Sequence, residues 1–283
     1  MITGTRYRLT LEINRQAQLA NDIERSMTEI STGKRIQAPS DDPVASARVS
    51  DIARAQLDML TWKRNLEAAA SLSVRADDAI GATVSAVTRA KELMLSAANG
   101  TMSAQNRNTI AIELRALAEE IAAIELTRDQ RGELLFPTTA ALEIPAADGI
   151  NITAVGTRAS VFEADTAGGP KDIAAIIADA ADAILEPDAT RAASTNLALA
   201  EIEAAVAGIT RAQGEQGTRG NRIDNLLERL AEYNLQAEEE RTSLESADVM
   251  EVVARLQARQ LTLQAAQAAF ARINSGTLFD ILR

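Results

Sequence analysis

The chain contains no cysteine and no histidine. Without cysteine there is no disulfide and no thiolate, either as nucleophile or as metal ligand. Without histidine the commonest general base and the commonest metal ligand are both missing. Aromatic residues make up 2% of the chain, with one Trp and two Tyr. So few rings leave little material for a thick core around a pocket. Alanine-rich stretches such as 173–185 and 198–207 instead favour thin helical bundles. No apolar run reaches the roughly 18 residues that a membrane-spanning helix needs. The formal net charge is −11, which argues against nucleic acid or an anionic membrane as partner, because both are held by surplus Lys and Arg. Arg6, Arg8, Glu12 and Arg15 interrupt any apolar leader, so a cleaved secretory signal is not expected.

What the sequence does have is a seven-residue apolar repeat at each end. Ile13, Ala20 and Met27 are spaced by sevens, with Leu9, Ile23 and Ile30 beside them. Val249, Leu256, Leu263 and Phe270 repeat in the same way, and Val252, Ala266 and Ile273 lie on the neighbouring stripe. Such a repeat gives a helix one apolar seam that needs a partner helix. Each terminal helix is marginal alone in water. The expectation is that the two ends pair with each other and then with copies of themselves.

Between the ends the chain alternates long helices with breaks. Residues 5–31 predict an amphipathic helix, closed by Gly33. Residues 34–42 form a polar linker. Asp42-Pro43 is a strong helix start, an acceptor side chain followed by proline at the first helical position. The following helix runs to Asn99-Gly100 with Ala45, Ile52, Met59, Leu66, Ile80, Val87 and Met94 in register. Ser73 and Thr83 are its weak points. Its expected length is on the order of 80 Å. Ser103 is placed to cap another helix with Ile110, Leu114, Leu117, Ile121 and Ile124 on one face. Residues 133–170 are rich in Gly and Pro. Within them Ile150–Thr153 alternates like a strand and Val161-Phe162 is a second strand candidate. A short helix is expected over 171–185. A second long one follows over 188–242, with Ile202, Ile209, Ile223, Leu230 and Ala237 in register and Gly214, Gly217 and Gly220 inside it.

The expected fold class is therefore mainly α: an elongated antiparallel long-helix bundle, coiled-coil-like, with a small β-containing insertion. The expected division is 1–42 plus 244–283 as terminal helices, 43–132 plus 171–243 as a rod, and 133–170 as the insertion. No catalytic, cofactor or metal set is expected. Ser31-Thr32-Gly33-Lys34 spells S-x-x-K, but the companion motifs of Ser acyl-enzymes are missing. Asp41, Asp42, Asp77 and Asp78 suit caps and solvated faces better than a cation. The glycines of the second long helix have the wrong spacing and context for a phosphate cradle.

Ser31-Thr32-Gly33-Lys34-Arg35-Ile36, followed by Pro39-Ser40-Asp41-Asp42-Pro43-Val44, resembles the N-terminal signature of flagellin-related axial proteins of the bacterial flagellum. Ala97–Thr101 with the helix after it resembles that family's turn between its long and second helices. Gly132-Glu133-Leu134-Leu135-Phe136 resembles the family's entry into its variable domain, with Leu134 where the family has Tyr. Leu244–Asp248, Gln260–Ala265 and Leu278–Leu282 resemble its C-terminal helix and closing Leu-Phe element. The resemblance implies a flagellin-type fold and a structural, non-enzymatic subunit that is exported unfolded without a cleaved leader. It would be guarded by a cytoplasmic chaperone on its C-terminal helix and would act outside the cell. Its implied place is the hook–filament junction, with itself, the first hook-associated protein and flagellin as partners. A filament subunit is the alternative within the family. A cell-surface protein binding a glycan or receptor through 133–170 is the alternative from another class. The expected assembly surface comprises Leu9, Ile13, Ala20, Ile23, Met27, Ile30, Val249, Val252, Leu256, Leu263, Phe270, Ile273 and Leu278.

Overall fold

In the computed structural model the backbone is described for residues 2–99 and 102–280; side chains are described for these residues except 2–6, 8–9 and 273–280. The described chain forms seven helices and two small sheets. The helices are α1 (Ile2–Thr32), α2 (Pro43–Ala97), α3 (Ala104–Glu125), α4 (Arg158–Phe162), α5 (Ile173–Ala183), α6 (Asp188–Glu245) and α7 (Val249–Asp280). The strands are β1 (Glu143–Ala147), β2 (Ile150–Thr153), β3 (Glu163–Thr166) and β4 (Gly169–Asp172), paired as two antiparallel hairpins, β1–β2 and β3–β4. The chain divides into two compact units, one of residues 1–57 and 234–283 and one of residues 58–233.

Local chemistry sets the boundaries. Gly33 has φ 66°, a left-handed turn that a residue with a Cβ rarely adopts, and it ends α1. The backbone N–H of Ala45 donates to Asp42 Oδ1 at 3.0 Å, which starts α2 at Pro43. Ser103 accepts from the Asn106 N–H and starts α3. Asp172 accepts from the N–H groups of Ala174 and Ala175 and starts α5. The short helix therefore begins two residues later than the sequence suggests, and Lys171 belongs to β4. Asp248 accepts from Met250 and Glu251 and starts α7. The break before α7 is confined to 246–248, because α6 runs through to Glu245.

In the second unit the apolar register becomes the core. Leu66, Ile80, Val87 and Met94 of α2 are buried against Ile202, Ile209, Ile223 and Leu230 of α6, together with Leu114 and Ile121 of α3 and Ile173, Ile176 and Ile177 of α5. The two weak points of α2 are both satisfied. The hydroxyl of Thr83 donates to Ala79 O at 2.9 Å. Ser73 Oγ accepts from Gln216 Nε2 at 2.8 Å, and the same amide donates to Ala154 O at 2.9 Å. Gln216 stands seven residues after Ile209 and Ser73 seven after Leu66, so the polar interruptions of the two registers meet. A lone polar pair in an apolar seam fixes which turn faces which. The glycines of α6 divide. A Cβ on Gly220 would lie 3.5 Å from Ser73 Oγ, whereas Gly214 and Gly217 meet nothing within 4 Å. Only Gly220 of the three marks a close approach.

The insertion is built on this core. Ile150–Thr153 is strand β2, and Ile152 is buried. Val161-Phe162 is not a strand. Thr157 accepts from the Ser160 N–H and starts the one-turn helix α4, of which these two residues are the end. Phe162 is buried and meets Phe136 edge to face at 4.9 Å between ring centroids. A two-residue apolar run has no period, so burial rather than strand pairing decides its conformation.

Candidate assembly surface of the terminal helices

Within the first unit α1 and α7 pack against each other, with polar and charged contacts beside a partly buried apolar stripe. Among the described residues, the buried groups of α1 are Ser26 and Glu29, and that of α7 is Val252. Arg259 reaches across α1, where Nη1 donates to Ser26 Oγ at 2.8 Å and to Asp22 O at 3.1 Å. Arg255 lies 3.9 Å from Glu29, which Arg25 also contacts at 3.4 Å. Arg25 continues to Asp41 at 2.7 Å. A cleft of about 300 Å³ lies among Asp22, Glu29, Arg25, Arg35, Arg255 and Arg259. Its charges of both signs are spent on each other, so it presents no net field for an ion.

The polar linker and the 246–248 break are tied together beside this pair. The N–H of Arg35 donates to Glu245 O at 2.7 Å, and the N–H of Ala247 donates to Gly33 O at 2.9 Å. Lys34 Nζ contacts Glu245 at 2.9 Å. This occupies the lysine of the S-x-x-K string in a structural ion pair. The two backbone N–H donors of Ala38 and Gln37 hold the Asp41 carboxyl below its ordinary pKa. The Ala45 N–H, then Arg35, does the same for Asp42. Further along α2 and α6, Arg48 makes a bidentate contact with Glu240 at 2.6 and 2.9 Å. Glu238 accepts from Gln56 and Arg241, so Glu238 and Glu240 are both engaged within the chain.

The residues expected at the assembly surface fall into three groups. Ile13, Ala20, Met27 and Val249 are exposed; Ile13 is 52%, Met27 50% and Val249 43% accessible. Ile23, Ile30, Leu256, Leu263 and Phe270 are half-buried, and Val252 is buried. The side chains of Leu9, Ile273 and Leu278 lie outside the described residues. The structure adds apolar groups that the heptads missed, since Leu11, Met250 and Leu261 are also exposed. The sign in the sequence was Asp22 and Glu29 spaced by seven opposite Arg255 and Arg259 spaced by four. These charges join the two helices beside Ile23, Ile30, Val252 and Leu256, which are half-buried or buried, while the rest of the aliphatic stripes stays exposed.

In the second unit an open groove of about 880 Å³ runs past Leu72, Leu135, Leu142, Ile144 and Val155. No aromatic side chain lines it, so it offers no stacking platform for a sugar or base. Among the described residues no cluster of three or more acidic side chains is arranged to hold a metal ion. None of the described helices is long and apolar enough to cross a membrane.

Long helices, a small β-containing insertion and terminal helices with exposed aliphatic residues define a mainly α-helical protein of two compact units. The bacterial flagellin N-terminal helical region model matches residues 9–141 and the C-terminal helical region model matches residues 199–282. The chain belongs to the bacterial flagellin family. It is 32% identical over 111 residues to flagellar hook-associated protein 3 of Escherichia coli, a match spanning 38% of this chain and about a third (34%) of that relative's length. It is 27% identical over 260 residues to a flagellin of Halalkalibacterium halodurans, spanning 90% of this chain and 89% of that protein. A solved structure from Vibrio parahaemolyticus assigned to the flagellar hook-associated proteins has the same fold, with a TM-score of 0.66 at 19% identity, covering 73% of this chain and all of the other.

Proposed function

We propose that the chain is a structural subunit of the bacterial flagellum that assembles through α1 and α7 at the hook–filament junction. The observation that carries this is the division of labour in the terminal helix pair. The two helices hold each other with Asp22, Ser26, Glu29 and Arg259, while Ile13, Met27, Val249, Met250 and Leu261 stay exposed. Fully burying one such side chain is worth about 1.5–3 kcal/mol, so neighbouring copies gain by covering this surface. The assembly surface is the set named above, extended by Leu11, Met250 and Leu261. The terminal helices form one assembly module, the long helices the rod, and 133–170 an insertion that faces solvent. The subunit works outside the cell, beside other axial proteins such as the first hook-associated protein and flagellin. A cytoplasmic chaperone holds α7 before export. The subunit has no catalytic task and no nucleic-acid or membrane partner.

One observation favours a second reading. The flagellin of Halalkalibacterium halodurans matches nearly end to end, whereas the hook-associated match covers a minor part of each chain. A filament subunit is the alternative on that ground. Seeding the purified chain on hook fragments and viewing it by negative-stain microscopy separates the two. A junction subunit gives short caps of fixed length. Filaments that lengthen with added protein would establish the alternative, and no assembly at any concentration would remove both.

A further inference from the structure

Glu125 ends α3 with only 3% of its surface accessible. Its Oε2 receives a hydrogen bond from Arg158 Nη2 at 2.9 Å, and no donor reaches Oε1. Arg158 Nη2 also lies 3.4 Å from Asp172 Oδ2. Asp172 Oδ1 is committed to the first turn of α5. Two carboxylates thus share one guanidinium, and one carboxylate oxygen is buried without a donor. An unsatisfied buried polar oxygen is costly. The three residues come from separate elements. Glu125 closes α3, Arg158 opens α4, and Asp172 joins β4 to α5. The backbone N–H of Arg158 is also bound to Pro137 O at 2.9 Å, so the same residue anchors the chain entering the insertion.

We propose that Glu125, Arg158 and Asp172 form a proton-dependent clasp that fastens the insertion to α3. With Glu125 protonated, its free oxygen gains a hydrogen to share with the neighbouring Asp172 carboxylate, and one of the two negative charges beside Arg158 is removed. With Glu125 ionised, two negative charges compete for Arg158 and the clasp loosens. Burial first, and then the charge of Asp172, push the Glu125 pKa up to about 7 against the pull of Arg158. The other charges around the group are engaged elsewhere. Lys171 contacts Asp179 and Glu201. Arg128 donates to Gly132 O, and Arg75 of α2 donates to Arg128 O. Arg219 of α6 pairs with Glu215. Glu163, the β3 partner of Asp172 in the hairpin register, is exposed.

A folded pKa above the unfolded value means that the clasp is fully stabilising below the unfolded pKa and is weakened as pH rises through about 7. Linkage with these values raises the opening equilibrium of the insertion about tenfold between pH 6 and pH 8. The test is hydrogen exchange on the full chain, read as protection factors of peptides from 143–172 across this range and corrected for intrinsic exchange. Wild type is expected to lose about tenfold protection, while peptides from 198–212 do not change. Glu125→Gln places an amide donor toward Asp172 and should make protection independent of pH. Asp172→Asn keeps a capping oxygen, removes the competing charge and should lessen the dependence without abolishing it, because the burial of Glu125 remains. Flat wild-type protection overturns the proposal without reference to any variant. An unchanged pH dependence in a folded Glu125→Gln protein also overturns it.

Discussion

The two compact units share the long helices α2 and α6 but are held together by different chemistry. The unit of residues 58–233 buries aliphatic side chains in continuous register, with one polar key at Ser73 and Gln216. The unit of residues 1–57 and 234–283 buries Ser26 and Glu29 between its terminal helices and leaves aliphatic side chains outside. The first arrangement is complete within one chain. The second adds charged and polar contacts between its terminal helices, whose aliphatic residues are partly exposed. Both units hold carboxylates with lowered pKa values, Asp129 and Glu186 in the second among them, and the second also holds one that is raised. Backbone donors and Arg partners lower the pKa of Asp41, Asp42 and Glu240 in the polar unit. Burial raises that of Glu125 in the apolar unit.

The sharpest way to break this contrast is through the apolar core. Phe162→Ala removes a buried ring that packs against Phe136 and should cost about 3–5 kcal/mol in urea unfolding, with loss of the transition reporting on 58–233. A cost under about 1 kcal/mol would mean that the insertion is not part of that core. Gln216→Leu should cost about 1–3 kcal/mol, because Ala154 O loses its side-chain donor inside a buried site; the same urea titration measures it. Asp42→Ala should cost about 1 kcal/mol by removing the cap of α2, and the loss should appear as faster exchange at the start of that helix.

Acid should separate the first unit from the insertion. The lowered carboxylates contribute stability above their unfolded pKa values, and that stability disappears as pH falls through the lowered folded values. Amides of 33–48 and 240–248 are therefore expected to lose protection in that acid range while the insertion is fastened. Equal loss over 143–172 would contradict the difference between Glu125 and the lowered carboxylates. The smallest effect on the isolated chain belongs to Ile13→Asp and Leu261→Asp. Both positions are exposed, so monomer stability should move by less than about 0.5 kcal/mol. Assembly, followed by light scattering, should fail. Normal assembly of both variants would remove these residues from the proposed surface.

The long helices were legible because their apolar positions repeat over many turns and their starts are marked by Asp42-Pro43 and Ser103. The first hairpin was legible from the alternation of Ile150–Thr153. Val161-Phe162 was misread because two apolar residues fit a strand or a helix equally well. The cap that decides between them, Thr157, accepts from a backbone donor that only the fold positions. The meeting of Ser73 with Gln216 was half visible, as a weak point in one register without its partner in the other. The terminal pairing was legible, but its basis was not. Counting apolar heptads overlooks charges, and Arg255 and Arg259 against Asp22, Ser26 and Glu29 add polar contacts to the pairing. The outcome leaves Ile13, Met27 and Val249 exposed rather than enclosed.

The most direct measurement is hydrogen-exchange protection of 11–30 and 249–272, compared between dilute chain and sedimented assemblies. Protection in both segments should be low when the chain is alone and rise by more than tenfold on assembly, while 198–212 is protected throughout. Strong protection of both terminal helices in dilute solution, unchanged on assembly, would contradict the account.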